Sequence, residues 1–192
     1  MPARGAGEVA GGTAEPDWSV TAQLSVGYGY ERVAPASPNG IASGLALLVR
    51  RGTVAAGPLF EAAAGGNRDS GYLGLAAGTV LDPASWARVE LLAEGGVHLL
   101  TLENDYAFQP AGHAQLPYAG VRAAVLALGR IVREPVMMWS RRAGVGIQVT
   151  ARADLARRSV SLAYPPQLGR PPDVVGVGGH SLSLALVLPF EW

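Results

Sequence analysis

Cysteine and lysine are both absent from this chain of 192 residues, and each absence removes a class of structure or interaction. Without cysteine there is no disulfide framework and no thiol chemistry. All 15 basic residues are arginines, and 15 acidic residues balance them to a formal net charge of zero. A neutral chain has no general attraction to nucleic acid. We therefore expect no nucleic-acid partner.

Long apolar runs are missing as well. No stretch reaches the roughly 18–20 consecutive apolar residues of a membrane-spanning helix. Residues 1–16 contain no apolar core of a secretory signal peptide, and we predict a flexible N-terminal segment there. Helical periodicity is also scarce. The length suits one domain, which we place at residues 17–192 and expect to consist of β-strands.

Eight segments instead alternate large apolar residues with small or polar ones, which is the period of a β-strand. In WSVTAQLSVGYGY, residues 18–30, the apolar set from Trp18 to Tyr30 occupies every even position. The other segments are residues 41–51, 57–65, 71–81, 87–101, 118–132, 139–154 and 180–192. The odd-numbered connections are the longer ones, and the seventh, about 155–178, is rich in proline. This pattern predicts an all-β, eight-stranded antiparallel up-and-down barrel with its large loops at one end.

Alternation alone leaves the direction of the apolar faces open. In a soluble lipocalin-like carrier they point inward, whereas in an outer-membrane barrel they point to lipid and the polar faces line the interior. The other faces of strands 1 and 4 are rich in glycine, alanine and serine, which is unusual for a solvated sheet. Turned inward, such small residues leave room for long Arg and Glu side chains. The composition of the two faces therefore favours a transmembrane β-barrel.

Aromatic placement favours the same choice. The tryptophans fall at the end with short turns and the tyrosines at the end with long loops, as expected for girdles at two membrane interfaces. Trp86 is an exception, because its position in the alternation puts it on the polar face. The predicted girdle comprises Trp18, Trp139, Phe190, Trp192, Tyr28, Tyr30, Tyr72 and Tyr118.

The C-terminal stretch HSLSLALVLPFEW gives the most specific signal. Large apolar residues occupy alternate positions up to a terminal tryptophan: Leu182, Leu184, Leu186, Leu188, Phe190 and Trp192. In this feature the chain resembles the small eight-stranded bacterial outer-membrane barrels of the OmpA/OmpX type. The resemblance implies location in the outer membrane of a Gram-negative bacterium, contact with outer-membrane lipid, and recognition of these six residues by the barrel-assembly machinery. It also implies that both chain ends face the periplasm, and we expect a monomer.

Charged and polar residues on the inward faces predict a network inside the barrel. Its members are Arg88, Glu90, Glu94, His98, Arg122, Arg130, Arg142, Gln148, Arg152 and Asp154, with Glu61 as a further candidate. Ions removed from water must pair, and the interior of eight strands is narrow enough for side chains to fill. We therefore predict a structural plug of salt bridges, with a narrow channel or small-ligand site as the alternative.

No catalytic, metal or cofactor motif is recognisable. His98 and Glu94 share one face and could exchange a proton, but a neutral histidine within the network is the simpler interpretation. A barrel lipid A deacylase places serine two residues after its histidine, whereas His98, His113 and His180 are followed there by Leu100, Gln115 and Leu182. We therefore predict a non-enzymatic protein with a structural or surface-interaction role. A lipid-modifying enzyme stays the alternative, and the surface partner is open.

Overall fold

The computed structural model of the protein describes residues 18–32, 39–65, 68–103, 110–130, 142–164, 169 and 171–192. Within these ranges the regular elements are all β-strands. They are β1 (Trp18–Arg32), β2 (Asn39–Arg51), β3 (Val54–Gly65), β4 (Arg68–Ala84), β5 (Ala87–Glu103), β6 (Pro110–Arg130), β7 (Arg142–Asp154), β8 (Arg158–Leu162), β9 (Asp173–Val177) and β10 (His180–Glu191). Among the described residues, no helix is long and apolar enough to cross a bilayer.

Eight of these strands form one closed antiparallel barrel. Each pairs with its neighbour in the chain, in the order β1-β10-β7-β6-β5-β4-β3-β2. The ring closes where β10 pairs with β1, from Thr21 opposite Glu191 to Arg32 opposite His180. Because this seam pairs both terminal strands, the barrel has no free sheet edge. The predicted eight-stranded up-and-down barrel is confirmed. The predicted segment 1–16 lies outside the described residues.

The sheet departs from the predicted boundaries around β6. This strand begins at Pro110, eight positions before the predicted start at residue 118, and pairs with β5 from Pro110 opposite Glu103 to Ala127 opposite Ala87. Its first part carries His113 and Gln115 on the outer face, so apolar alternation does not mark it. Only residues 66–67 separate β3 from β4, so the connection of moderate length predicted at residues 66–70 is shorter than expected. Residues 131–141 lie outside the described residues.

A second correction concerns the connection between β7 and β10, which was predicted to be a loop. It contains a separate two-stranded sheet, in which β8 pairs with β9 from Arg158 opposite Val177 to Leu162 opposite Asp173. We call the end of the barrel next to this hairpin the mouth. The opposite end, with the turns at residues 52–53 and 85–86, is the turn end. The chain enters and leaves the barrel at the turn end, because β1 starts there and β10 ends there.

The outer surface of the barrel is apolar along its middle on every strand, between the polar start of β6 and the turn end. Within each strand, every second side chain points outward and stays exposed, whereas the side chains between them point inward and are buried. The outward set includes Leu24, Val26, Ile41, Leu45, Phe60, Leu73, Leu75, Leu91, Val97, Val121, Val125, Ile147, Val149, Leu184 and Leu186. This is the orientation that a lipid-facing barrel requires and the reverse of a lipocalin-like carrier.

Candidate functional site: the barrel interior and its mouth

An ion cluster fills the turn end of the interior. Arg88 on β5 is 1% exposed and reaches two carboxylates, at 2.8 Å from Asp82 and 2.9 Å from Glu191. Arg50 lies 2.6 Å from the other oxygen of Asp82, and the Ser19 hydroxyl donates to Glu191 over 2.9 Å. These contacts link β1, β2, β4, β5 and β10 across the lumen. The cluster therefore ties the terminal strand β10 to the opposite wall.

Apolar side chains occupy much of the interior above this cluster, which the prediction of an Arg/Glu network did not include. One group contains Ala46, Leu48, Ala55, Leu59, Ala76, Val80 and Leu92, and a second contains Ala124, Leu126, Leu128 and Val187. Between them the side-chain amide of Gln23 donates to Glu90 over 2.7 Å. The interior is therefore a mixed core in which polar pairs are embedded among aliphatic residues.

Arg152 forms the centre of a second ion cluster towards the mouth. Its two terminal nitrogens donate to the two carboxylate oxygens of Glu61 at 2.6 and 3.0 Å, in the bidentate geometry that favours arginine. Its Nε donates to Glu94. Arg122 lies 3.4 Å from the second oxygen of Glu94. Two arginines thus face two glutamates, so the charges of this buried cluster balance.

Two tyrosines and a histidine stack directly next to Arg152. The ring of Tyr72 lies 4.3 Å from that of His98 at 14°, and its edge-to-face contact with Tyr118 is 5.1 Å. The guanidinium carbon of Arg152 lies 4.4 Å from the centroid of Tyr72, a cation–π distance. Both tyrosines are 2% exposed. Their predicted place in the outer aromatic girdle is therefore wrong, because they point into the lumen.

Asp154 joins this stack to the chain at the mouth. One oxygen of its carboxylate lies 2.9 Å from Nδ1 of His98, and the other accepts the backbone N–H of Gly179 over 2.9 Å. Nearby, Glu31 accepts hydrogen bonds from the hydroxyls of Ser70 at 2.8 Å and Tyr72 at 3.0 Å. A carboxylate from β7 and one from β1 thus organise the polar groups at the top of the lumen.

An apolar layer lies at the mouth, on the β5–β6 side of the barrel. Leu100 and Leu102 of β5 and Ala114 and Leu116 of β6 pack against Val160 and Val177 of the hairpin. Gly112 of β6 completes this contact, since a Cβ atom there would lie 2.5 Å from Val160 Cγ1. The polar cluster below is consequently shielded from solvent on the β5–β6 side of the mouth.

His98 is enclosed within the lumen. His98 is 0% exposed, and within the described residues its Nε2 has no hydrogen-bond partner. Among those residues no group of three or more His, Cys, Asp or Glu is placed to hold a metal ion. What the geometry provides is a set of buried contacts that bridge opposite walls of the barrel.

The structure brings most of the predicted network together. Arg88, Glu90, Glu94, His98, Arg122, Gln148 and Arg152 are buried in the lumen, and the Asp154 side chain joins them. Gln148 donates to Thr150 on its own strand over 3.1 Å. Arg142 is half-buried at the turn end, and the side chain of Arg130 lies outside the described residues. The prediction missed Gln23, Glu31, Asp82, Glu191, Tyr72 and Tyr118.

The alternation of inward and outward positions along each strand could have identified most of these missed residues. Gln23, Glu31 and Glu191 share the odd-numbered face of their strands with inward residues, and Tyr72 and Tyr118 share the even-numbered face of theirs. The two tyrosines were assigned outward because they lie near expected strand ends, but β4 and β6 both begin earlier. Their even-numbered positions place both rings on the inward face of β4 and β6.

The other girdle residues face outward where they are described. Trp18, Tyr28, Tyr30 and Trp192 are exposed, and Phe190 is half-buried. Trp86 is exposed in the turn between β4 and β5. Trp139 lies outside the described residues. Leu182, Leu184, Leu186 and Leu188 all point outward along β10, and recognition of this strand by an assembly machinery stays a prediction.

Tyr118 lies against a stretch of wall that has no side chains. Gly96 of β5 is directly opposite Tyr118, and Gly74 of β4 is directly opposite Gly96. A Cβ atom at Gly74 would lie 2.7 Å from the Tyr118 hydroxyl and 2.3 Å from the carbonyl oxygen of Gly95. The glycine is thus required by the ring and by the close approach of the neighbouring backbone.

Gly74→Ala is therefore expected to lower the free energy of unfolding by about 1–3 kcal/mol, the usual effect of overpacking a filled core. Urea titration of the purified barrel in lipid vesicles would measure it. Gly176→Ala on β9 is the matched control, because no atom lies within 4 Å of its Cβ position. Equal stability of the two variants would contradict the packing role of Gly74.

Comparison with known proteins gives a match in structure but none in sequence. No protein-family model matches the chain, and no curated protein matches it. The solved structure of Neisserial surface protein A (NspA) is similar with a TM-score of 0.60 at 11% identity, over 92% of this chain and 97% of that one. The translocator domain of the autotransporter NalP from Neisseria meningitidis aligns over 93% and 89% at 11% identity, with a TM-score of only 0.32.

NspA is an eight-stranded outer-membrane barrel. At 11% identity the likeness establishes the fold alone, and it agrees with the closed ring of eight strands seen here. The resemblance to small outer-membrane barrels is therefore confirmed for the architecture. This chain has the fold of the small eight-stranded transmembrane β-barrels of the outer membrane.

Proposed function

We propose that this chain is an integral protein of the bacterial outer membrane with a structural or surface-interaction role, and that it neither catalyses a reaction nor conducts solutes. Its partners in this proposal are outer-membrane lipid along the outer wall and the barrel-assembly machinery during insertion. The monomer suffices, because the sheet closes on itself. The mouth is the surface offered to an external partner.

The main support for the proposed membrane location is the height of the apolar outer wall. On β1, exposed aromatic residues stand at both ends of the outer face, with Trp18 at the turn end and Tyr30 at the mouth. Tyr30 is twelve positions beyond Trp18, or about 40 Å along a strand. With the usual tilt of about 35–45°, this spans about 30 Å, close to the apolar band of such barrels and to the hydrocarbon core of a bilayer.

The filled interior supports a non-conducting barrel. A solute would have to displace the Arg88 cluster, two apolar groups and the Arg152 cluster in turn. Breaking a buried ion pair leaves an uncompensated charge and costs about 3–5 kcal/mol. The described lumen thus presents barriers along its whole length.

The surface role is supported by the parts of the protein at the mouth that extend beyond the apolar wall. The outward residues at the start of β6, such as His113 and Gln115, are exposed and polar, unlike those deeper in the wall. The β8–β9 hairpin lies at the same end and exposes Val174. A polar extension with an added hairpin gives the mouth a surface that an external protein or glycan could contact.

The folded protein is expected to require detergent or lipid and to migrate differently on a gel before and after boiling. In planar bilayers we expect no conductance steps, and on expression we expect the mass spectrum of the host outer-membrane lipids to stay unchanged. A detergent-free soluble monomer would support the lipocalin-like alternative instead. Discrete conductance would overturn the sealed interior, and altered lipids would overturn the non-enzymatic role.

A further inference from the structure

We propose that the β8–β9 hairpin is a hinged cover over the mouth of the barrel, and that the Asp154 carboxylate is the latch that holds it closed. This inference does not depend on the proposed function, because it concerns two positions of the described strands β8 and β9 relative to the barrel. The cover is seated on apolar residues of β5 and β6. The latch connects its hinge to the buried His98.

The hairpin is separate from the barrel in its hydrogen bonding. Its two strands pair only with each other within the described sheets, and short segments at residues 155–157 and 178–179 join it to β7 and β10. An isolated two-stranded hairpin is marginally stable in water. Its closed position therefore depends on packing against the barrel and on the bonds at its base.

The packing surface is small and shaped to the hairpin. Val160 and Val177 fill the layer above Leu100 and Leu116, and Gly112 leaves the space that Val160 occupies. Outward from this layer, Val174 and Gly176 of β9 are exposed. The hairpin is thus apolar on the face that covers the lumen and open on the other.

The hinge has a backbone that only glycine adopts readily. Gly178 has a φ of 119° and passes so close to Ala156 that a Cβ would lie 2.5 Å from its carbonyl oxygen. Glycine relaxes there without steric cost, as hinge positions require. At the same place Asp154 donates its N–H to the carbonyl of Gly179 over 2.8 Å.

The latch is a single carboxylate with two different partners. One oxygen of Asp154 contacts His98, which is fixed by its stack on Tyr72, and the other accepts the N–H of Gly179. Hydrogen bonds to a charged group are the stronger kind. Removing the carboxylate leaves the base of the hairpin tied to β7 by the single backbone hydrogen bond from the Asp154 N–H to the Gly179 carbonyl, and is expected to increase the open fraction.

The absence of cysteine from the chain permits a clean test. Ala114→Cys places one small thiol in the layer beneath the hairpin, where residue 114 is 7% exposed. The rate at which a membrane-impermeant maleimide modifies this thiol follows the open fraction when opening is fast. In the folded barrel, Asp154→Ala is expected to speed the modification by about tenfold or more, as the loss of charged hydrogen bonds implies.

Two further variants keep the result interpretable. Gly112→Val displaces Val160 without touching the latch and is expected to speed the modification as well. Asp69→Ala removes an exposed carboxylate of β4 and should leave the rate unchanged. A thiol placed at Ala124, deep in the lumen, should stay unreactive in every background.

Three results would overturn the cover. The first is a thiol at residue 114 that reacts as fast as one at the exposed Gly176 even with Asp154 intact, which would mean that the hairpin is not closed. The second is an unchanged rate in both Asp154→Ala and Gly112→Val. The third is a thiol at residue 124 that accelerates together with that at 114, which would locate the motion in the whole barrel.

Discussion

Replacing Arg152 with methionine is expected to lower the free energy of unfolding by about 3–5 kcal/mol, the usual cost of removing one member of a buried ion cluster. Arg152 holds Glu61 by two hydrogen bonds and Glu94 by a third, and all three side chains are buried. Methionine fills a similar space but leaves both carboxylates without their main partner. Urea titration of the folded barrel in lipid vesicles would measure the loss.

Arg158→Met is the matched control, because Arg158 is exposed on β8 and exposed substitutions usually change stability by less than about 0.5 kcal/mol. The triple variant Arg152→Met, Glu61→Gln and Glu94→Gln removes the stranded charges together with the arginine. We expect it to recover a large part of the lost stability. A loss below about 1 kcal/mol for Arg152→Met alone would contradict a central role for this cluster.

Leu186→Arg is expected to lower the free energy of unfolding by about 2–4 kcal/mol in a bilayer, the cost of a cation at mid-depth on the lipid face of a barrel. Leu186 is 61% exposed on the outer face of β10, between Val26 of β1 and Ile147 of β7. In lipid, its replacement puts a guanidinium among acyl chains. The same vesicle titration applies.

Leu182→Arg on the same strand tests the depth dependence. Leu182 faces Tyr30 across the seam, near the mouth, where the cost should fall to about 0–1 kcal/mol. A larger loss of stability in Leu186→Arg than in Leu182→Arg would indicate that lipid, and not water, surrounds the barrel. Two small and equal effects would be expected for a soluble barrel and would contradict a membrane location.

The interior of the barrel shows how much of the site can be predicted from the pattern of residues along each strand. Parity assigned Arg88, Glu94, His98 and Arg152 to the lumen, and the structure places all four there. It could not assign their partners, because pairing across a lumen joins residues far apart in sequence, such as Arg88 and Glu191. Such pairs depend on the tilt and stagger of closed strands, which alternation along one strand does not encode.

The hairpin at the mouth was missed for a different reason. Its strands β8 and β9 have five residues each, and the segment between β7 and β10 is rich in proline and glycine. Short strands of this kind give little periodic signal. The hairpin lies on Leu100 and Leu116, so its place is set by a surface that exists only after β5 and β6 have paired.

The sequence by itself determined the number of barrel strands and the two faces of each strand, because side chains on a strand alternate strictly. The composition of those faces determined the outward direction of the leucines before Trp192. Only the tertiary structure decided that Arg88 pairs with Glu191, that Asp154 links His98 to Gly179, and that a hairpin packs on β5 and β6 at the mouth. These features join strands that are distant in the chain. Closure of the sheet alone brings them within reach of one another.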